Sequence, residues 1–245
     1  MSWMFPRRSG IRSPETREWI LGALYLPVFL FFLNFAIIAY FPALGFPLTE
    51  PRNYFFANLL YMTVNFAVML LIFRRTLWQS LREFEGKMLL SVLIGFGMCY
   101  GANLVLTTAY TVLDIMPENY NQEAVNSLLG GYPLAMTLCT VVLAPLAEEC
   151  LFRGVLFAPL ARRCLPAAYA LSMFLFAGMH VFQFLGSMTA ANTILCLSLY
   201  LPASFSLCWV YQKTGNIWAG IFLHMFINFQ SVLASLLRSL MQAFL

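Results

Sequence analysis

Glu148-Glu149-Cys150-Leu151-Phe152-Arg153 lies inside an apolar run that extends from about Pro133 to Leu160. A helix of that length crosses a hydrocarbon core of about 30 Å. Two adjacent carboxylates and a guanidinium therefore sit where each charge costs roughly 2.5–3.5 kcal/mol on insertion scales. A chain that keeps three such groups together must pair them, hydrate them or use them. The length of the run decides the fold class, and the charges within it direct the search for function toward their partners.

Outside this stretch the composition points the same way. The chain has 245 residues, 61% of them hydrophobic and only 10% charged, where a water-soluble domain carries about 25% charged residues. Several runs approach the roughly 20 apolar residues of a membrane-spanning helix. The expected fold is all-α: a polytopic helical membrane protein with about seven transmembrane helices, six to eight being compatible with the pattern. A transmembrane barrel would alternate apolar and polar residues over segments of about ten, which these runs do not do. The net charge of +4 is small, and no basic cluster is interleaved with aromatics as nucleic-acid binding requires. Cys99, Cys139, Cys150, Cys164, Cys196 and Cys208 lie in or beside apolar runs without paired metal-type spacing. They read as small hydrophobes rather than disulfides or zinc ligands.

The chain divides into a basic segment, 1–18, and one helical transmembrane domain, 19–245. The first segment contains Arg7, Arg8, Arg12 and Arg17, with Trp3, Met4 and Phe5 suggesting a short interfacial helix. Its basic start resembles a signal sequence, but the apolar run after it is too long for a signal core, so an uncleaved first span is expected. Spans are predicted over about 19–41, 54–73, 88–113, 133–160, 166–185, 190–211 and 217–237. A charged loop is expected after Arg74 and Arg75, and an acidic loop over Asp114, Glu118 and Glu123. With the amino terminus in the cytoplasm, Arg74, Arg75, Arg82, Lys87, Arg162, Arg163 and Lys213 fall on the cytoplasmic side, and only Arg52 and Arg238 face outward. That distribution obeys the positive-inside rule at every loop.

Depth narrows the choice of partners for the central charges. Glu148 lies roughly 18 Å from the inner end of the fourth span, His180 roughly 21 Å into the fifth, and His224 and Asn228 roughly 10 and 16 Å into the seventh. His180 and His224 are the two histidines of the chain. Glu149 and Arg153 are i,i+4 and can pair along one helix face, as can His224 and Asn228. Phe176, one turn before His180, can wall the same cavity. Pro145 predicts a kink that lets water reach Glu148. An active-site cavity between spans four, five and seven is the expected consequence.

These residues suit hydrolysis. Glu148 could take a proton from water, His180 could hold that water, and His224 and Asn228 could donate to the oxyanion of a tetrahedral intermediate. The same side chains allow a second arrangement, in which Glu148, His180 and His224 ligate a divalent metal such as zinc around an activated water. The spacing leaves both open. The bland readings stand beside them: Glu149 with Arg153 as a structural ion pair, and Asn228 as a polar contact between helices.

The three motifs, Glu148-Glu149-Cys150-Leu151-Phe152-Arg153, Phe176-Ala177-Gly178-Met179-His180 and His224-Met225-Phe226-Ile227-Asn228, resemble those of the CAAX protease and bacteriocin-processing (CPBP, or Abi) family of intramembrane proteases. Gly154 and Gly215-Asn216-Ile217-Trp218 resemble the family as well. The resemblance covers about Leu143 to Phe229 and implies a protease core at about 133–237. It implies an intramembrane endopeptidase, either glutamate- or metal-dependent, cutting a membrane-associated peptide or protein near the cytoplasmic face of a bacterial plasma membrane. Glu148 would activate water, His180, His224 and Asn228 would complete the site, and Glu149 and Arg153 would support it. Some members remove three residues after a prenylated cysteine. Others process or protect against peptides, so a non-catalytic binding or bacteriocin-immunity protein is the alternative. A proton-coupled transporter, using buried Glu and His as relays, is a more distant one.

Overall fold

A computed structural model describes residues 12–243. The expected interfacial helix at Trp3–Phe5, and Arg7 and Arg8, lie outside the described residues. Nine helices run in order: α1 (Thr16–Ala43), α2 (Pro51–Ile72), α3 (Arg74–Arg82), α4 (Gly86–Val112), α5 (Tyr120–Gly131), α6 (Pro133–Ala161), α7 (Leu165–Ser187), α8 (Ala190–Thr214) and α9 (Ile217–Ala243). All but α3 and α5 are long and apolar enough to cross a membrane, seven in all. No strand occurs among the described residues. The protein is an all-α polytopic membrane protein.

The helix ends follow local chemistry. Pro51 and Pro133 open α2 and α6 at the first turn, where the missing N–H would be unsatisfied anyway. Gly215 closes α8 in the left-handed region at φ 63°, where a Cβ would be strained. Asn216 then restarts the chain, its Oδ1 accepting from the Trp218 N–H at 2.9 Å.

Both polar loops contain a helix that the hydropathy pattern did not reveal. The residues after Arg74 form α3 rather than a charged loop, because Leu77 and Ser80 are buried on one face while the arginines stay outside. Past the acidic loop at Asp114–Glu118, the chain turns into α5. Asn119 caps it by accepting from the Gln122 N–H at 3.1 Å, and Leu128 and Leu129 are buried beneath it. Ser231 and Ser235 of α9 donate to Gln122 and Asn126, at 3.1 and 2.8 Å, and hold α5 across that end of the bundle.

The bundle is organised around α6. Half of its most apolar window is buried, against 17–39% for the other six spans. The main core gathers on it: Leu151, Phe152, Phe157 and Ala158 pack with Phe29, Phe73, Phe176, Tyr211 and Ile221. α6 is also irregular. Widened π turns cover Cys139–Leu143 and Cys150–Phe157 and flank the regular turn Ala144–Glu149 that carries the carboxylates. Pro145 falls where the hydrogen-bond register changes, just past the first widened turn.

That register leaves two bare carbonyls. The Ala144 N–H reaches back to Cys139 rather than Thr140, and residue 145, next in line, is proline without an N–H. The Thr140 carbonyl is met instead by Asn228 Nδ2 of α9 at 2.8 Å. Further on, the Val155 carbonyl would be paired in a regular helix by residue 159, which is again proline. Trp19 Nε1 of α1 donates to it at 3.0 Å. Gly22 makes this approach of α1 feasible, since a Cβ there would lie 2.6 Å from Val155 Cγ2.

Candidate functional site

Glu149 is fully buried, and its Oε1 accepts two hydrogen bonds: from Arg153 Nη1 at 3.1 Å and from His224 Nδ1 at 2.8 Å. The first is an i,i+4 contact along α6. The second crosses to α9, which approaches closely because residue 220 is glycine. A Cβ at that position would stand 3.1 Å from Glu149 Oε2. Arg153 is equally buried. Its Nη2 donates to the Ser204 carbonyl and hydroxyl of α8, both at 3.3 Å, and its guanidinium lies 4.9 Å from the centre of the Phe176 ring. The charge pair is thus enclosed by α6, α7, α8 and α9. Ser204 was not legible as a partner, because one serine in an apolar span is unremarkable.

Because a carboxylate accepts at His224 Nδ1, that nitrogen carries a proton, and Nε2 is the ring atom turned toward Glu148. Nε2 lies 3.8 Å from Glu148 Oε2. This separation is beyond a direct hydrogen bond but suits a bridging water about 2.8 Å from each atom. Glu148 Oε2 is shielded and has no hydrogen-bond partner in the protein. The Glu148 side chain keeps 12% of its exposure while those of Glu149 and Arg153 keep none. Where α6, α7 and α9 meet, Glu148 is therefore the member of the charged trio with a path to the surroundings.

The two remaining candidates are placed differently. His180 Nδ1 donates to the Phe176 carbonyl of its own helix at 2.8 Å. Its ring packs on Phe176 at 4.8 Å and stacks on Tyr200 of α8 at 4.5 Å. Phe176 also meets His224 edge-on at 5.6 Å, so one phenyl ring packs against both imidazoles. Asn228 commits one amide hydrogen to Thr140, as described. Tyr200 and Thr140 were also missed, since neither bears a motif.

Among the described residues no group of three or more His, Cys, Asp or Glu side chains is arranged to hold an ion. Glu148, His180 and His224 are not gathered into such a group, while the engagement of both Nδ1 atoms leaves each Nε2 as the nitrogen that would face an ion. All six cysteines are free.

Residues 130–230 match the family described as "Type II CAAX prenyl endopeptidase Rce1-like". The matched stretch contains all three motifs and the whole cluster just described. Over this stretch, a little over two fifths of its length, the chain is similar to that family. A Bacillus subtilis (strain 168) protein named "Putative membrane peptidase YdiL" is 28% identical over 166 residues, which is 66% of this chain and 64% of the relative. The chain thus spans a little under two thirds of the length of that relative. No solved structure matches the chain at a significant level. The glutamate pair, Arg153, His224 and Phe176 form one contiguous unit, with His180 against the same ring and Asn228 one turn beyond His224.

Proposed function

We propose that this protein is an intramembrane endopeptidase, hydrolysing a peptide bond of a membrane-associated substrate near the basic face of the bundle, and that Glu148 activates the water. One observation carries the reading. Glu148 Oε2 is shielded, lacks a protein partner and faces His224 Nε2 across 3.8 Å, while Glu149 fixes that imidazole through Nδ1. A water in this gap would give its proton to Glu148 as its oxygen attacks the substrate carbonyl. The second amide hydrogen of Asn228 is available to the developing oxyanion, and His180 Nε2 to the water. Collapse of the intermediate breaks the C–N bond, and the proton held by Glu148 passes to the leaving amine. Glu149 and Arg153 act through His224 and by holding α6 to its neighbours.

The test is cleavage of membrane peptides by the protein reconstituted in lipid. Glu148→Gln and His224→Ala are each expected to lower turnover by roughly 10²–10⁴-fold, the range of a positioned acid–base group, with insertion and thermal unfolding retained. Full activity in both variants would overturn the reading and favour a binding or immunity role for the same fold. Turnover is expected to survive prolonged dialysis against a chelator, and its loss with recovery on added zinc would reverse the argument from donor geometry.

A further inference from the structure

α3 is a surface helix held rigidly from both ends. At its start the buried Glu18 of α1 accepts from the backbone N–H groups of Arg75 and Thr76, at 3.0 and 3.2 Å, and from the Thr76 hydroxyl. An acid there complements the positive end of the helix dipole. At its finish the carbonyls of Leu77 and Ser80 accept from Trp218 Nε1 and Asn216 Nδ2 of the α8–α9 turn, at 2.8 and 2.6 Å. Leu77 and Ser80 are buried, so the inner face is fully used.

The outer face has no such partner. Arg74, Trp78 and Arg82 stand at i, i+4 and i+8 and form one exposed stripe. Trp78 is 61% exposed and Leu81 43%. The acidic residues nearby are already matched to other bases: Glu15 to Arg75, Glu83 to Arg12 and Glu85 to Lys87. Among the described residues neither Arg74 nor Arg82 forms an ion pair. Because α3 joins the end of one span to the start of the next, this stripe lies at the level of the lipid headgroups.

We propose that the Arg74–Trp78–Arg82 stripe is a binding surface for anionic phospholipid headgroups. The indole sits at the interface between headgroups and chains, where tryptophan is favoured, and the two guanidiniums take phosphates on either side of it, with geometry suited to bidentate contact. The anchoring by Glu18, Asn216 and Trp218 means the helix is ordered before lipid arrives. An attraction of about fivefold in local concentration is expected for each arginine at the surface.

The full-length protein is reconstituted in mixed phosphatidylcholine and phosphatidylglycerol vesicles in which one lipid or the other carries brominated chains. Subtracting the signal of Trp78→Phe isolates the Trp78 fluorescence. Brominated phosphatidylglycerol is expected to quench Trp78 several-fold more strongly than brominated phosphatidylcholine at equal content, and Arg74→Gln with Arg82→Gln to abolish the difference. Equal quenching by the two lipids, or a preference that persists in the double variant, overturns the proposal. Both side chains are exposed and neither takes part in the contacts that anchor α3, so folding is expected to be preserved, and the readout does not depend on peptidase activity.

Discussion

Glu149, rather than the more open Glu148, holds the geometry of the site together. Its Oε1 is shared by a guanidinium and an imidazole, and it holds a proton on His224 Nδ1. Glu149→Gln leaves Arg153 in the core without a counter-charge, and breaking a buried pair in this way costs about 3–5 kcal/mol. The expected result is a markedly lower unfolding temperature in detergent. Adding Arg153→Met should restore part of the loss, since a core with neither charge no longer strands one; a double variant less stable than the single would contradict this. Gly220→Ala sits at the same contact. Its Cβ would press on Glu149 Oε2 from 3.1 Å, so a fall in turnover with little change in unfolding is expected.

At the level of the helix, α6 derives its shape from two prolines and the side chains that answer them. Asn228→Leu removes the donor to the Thr140 carbonyl, and an unsatisfied buried acceptor costs about 1–3 kcal/mol. In a Pro145→Ala background the chain regains an N–H at 145 that can compete for the same carbonyl. The loss from Asn228→Leu should then be smaller. A double-mutant cycle in thermal or denaturant unfolding measures the difference, which is expected to be about 1 kcal/mol. Strict additivity would mean that the proline and the asparagine are not linked through Thr140. The same logic places Trp19 at Val155, behind Pro159.

Across the whole molecule, charge separates the two ends. Arg12, Arg17, Arg74, Arg75, Arg82, Lys87, Arg162, Arg163 and Lys213 share one end through the up-and-down order of the seven spans, while Arg52 and Arg238 occupy the other. The positive-inside rule gives the expectation that the first end faces the cytoplasm. Cys164, in the turn between α6 and α7, is the exposed one of the six cysteines and marks that end. A membrane-impermeant maleimide should modify it in inside-out vesicles and spare it in intact cells. Labelling of Cys164 from outside would invert the assignment and move the site toward the opposite face.

The span count, the all-α class and the presence of buried charged and histidine residues within the spans were legible from residues alone. Each is a local property: a run of apolar side chains must be helical in lipid because no water satisfies its backbone, and a charge in such a run has no cheap state but a paired or working one. What neighbouring helices supply was not legible. α3 and α5 are too polar for hydropathy to detect and exist because Leu77, Leu128 and Leu129 find cover. Spacing alone leaves the partner of Asn228 open, because that depends on a hydrogen-bond register in another helix. Nor could depth along separate spans reveal that Glu149 meets His224 while Phe176 packs against both imidazoles. Local chemistry determined which groups the membrane must accommodate; only the packing of α6 against α7, α8 and α9 decided which of them touch, because rotation of each helix about its axis is set by its neighbours and not by its own sequence.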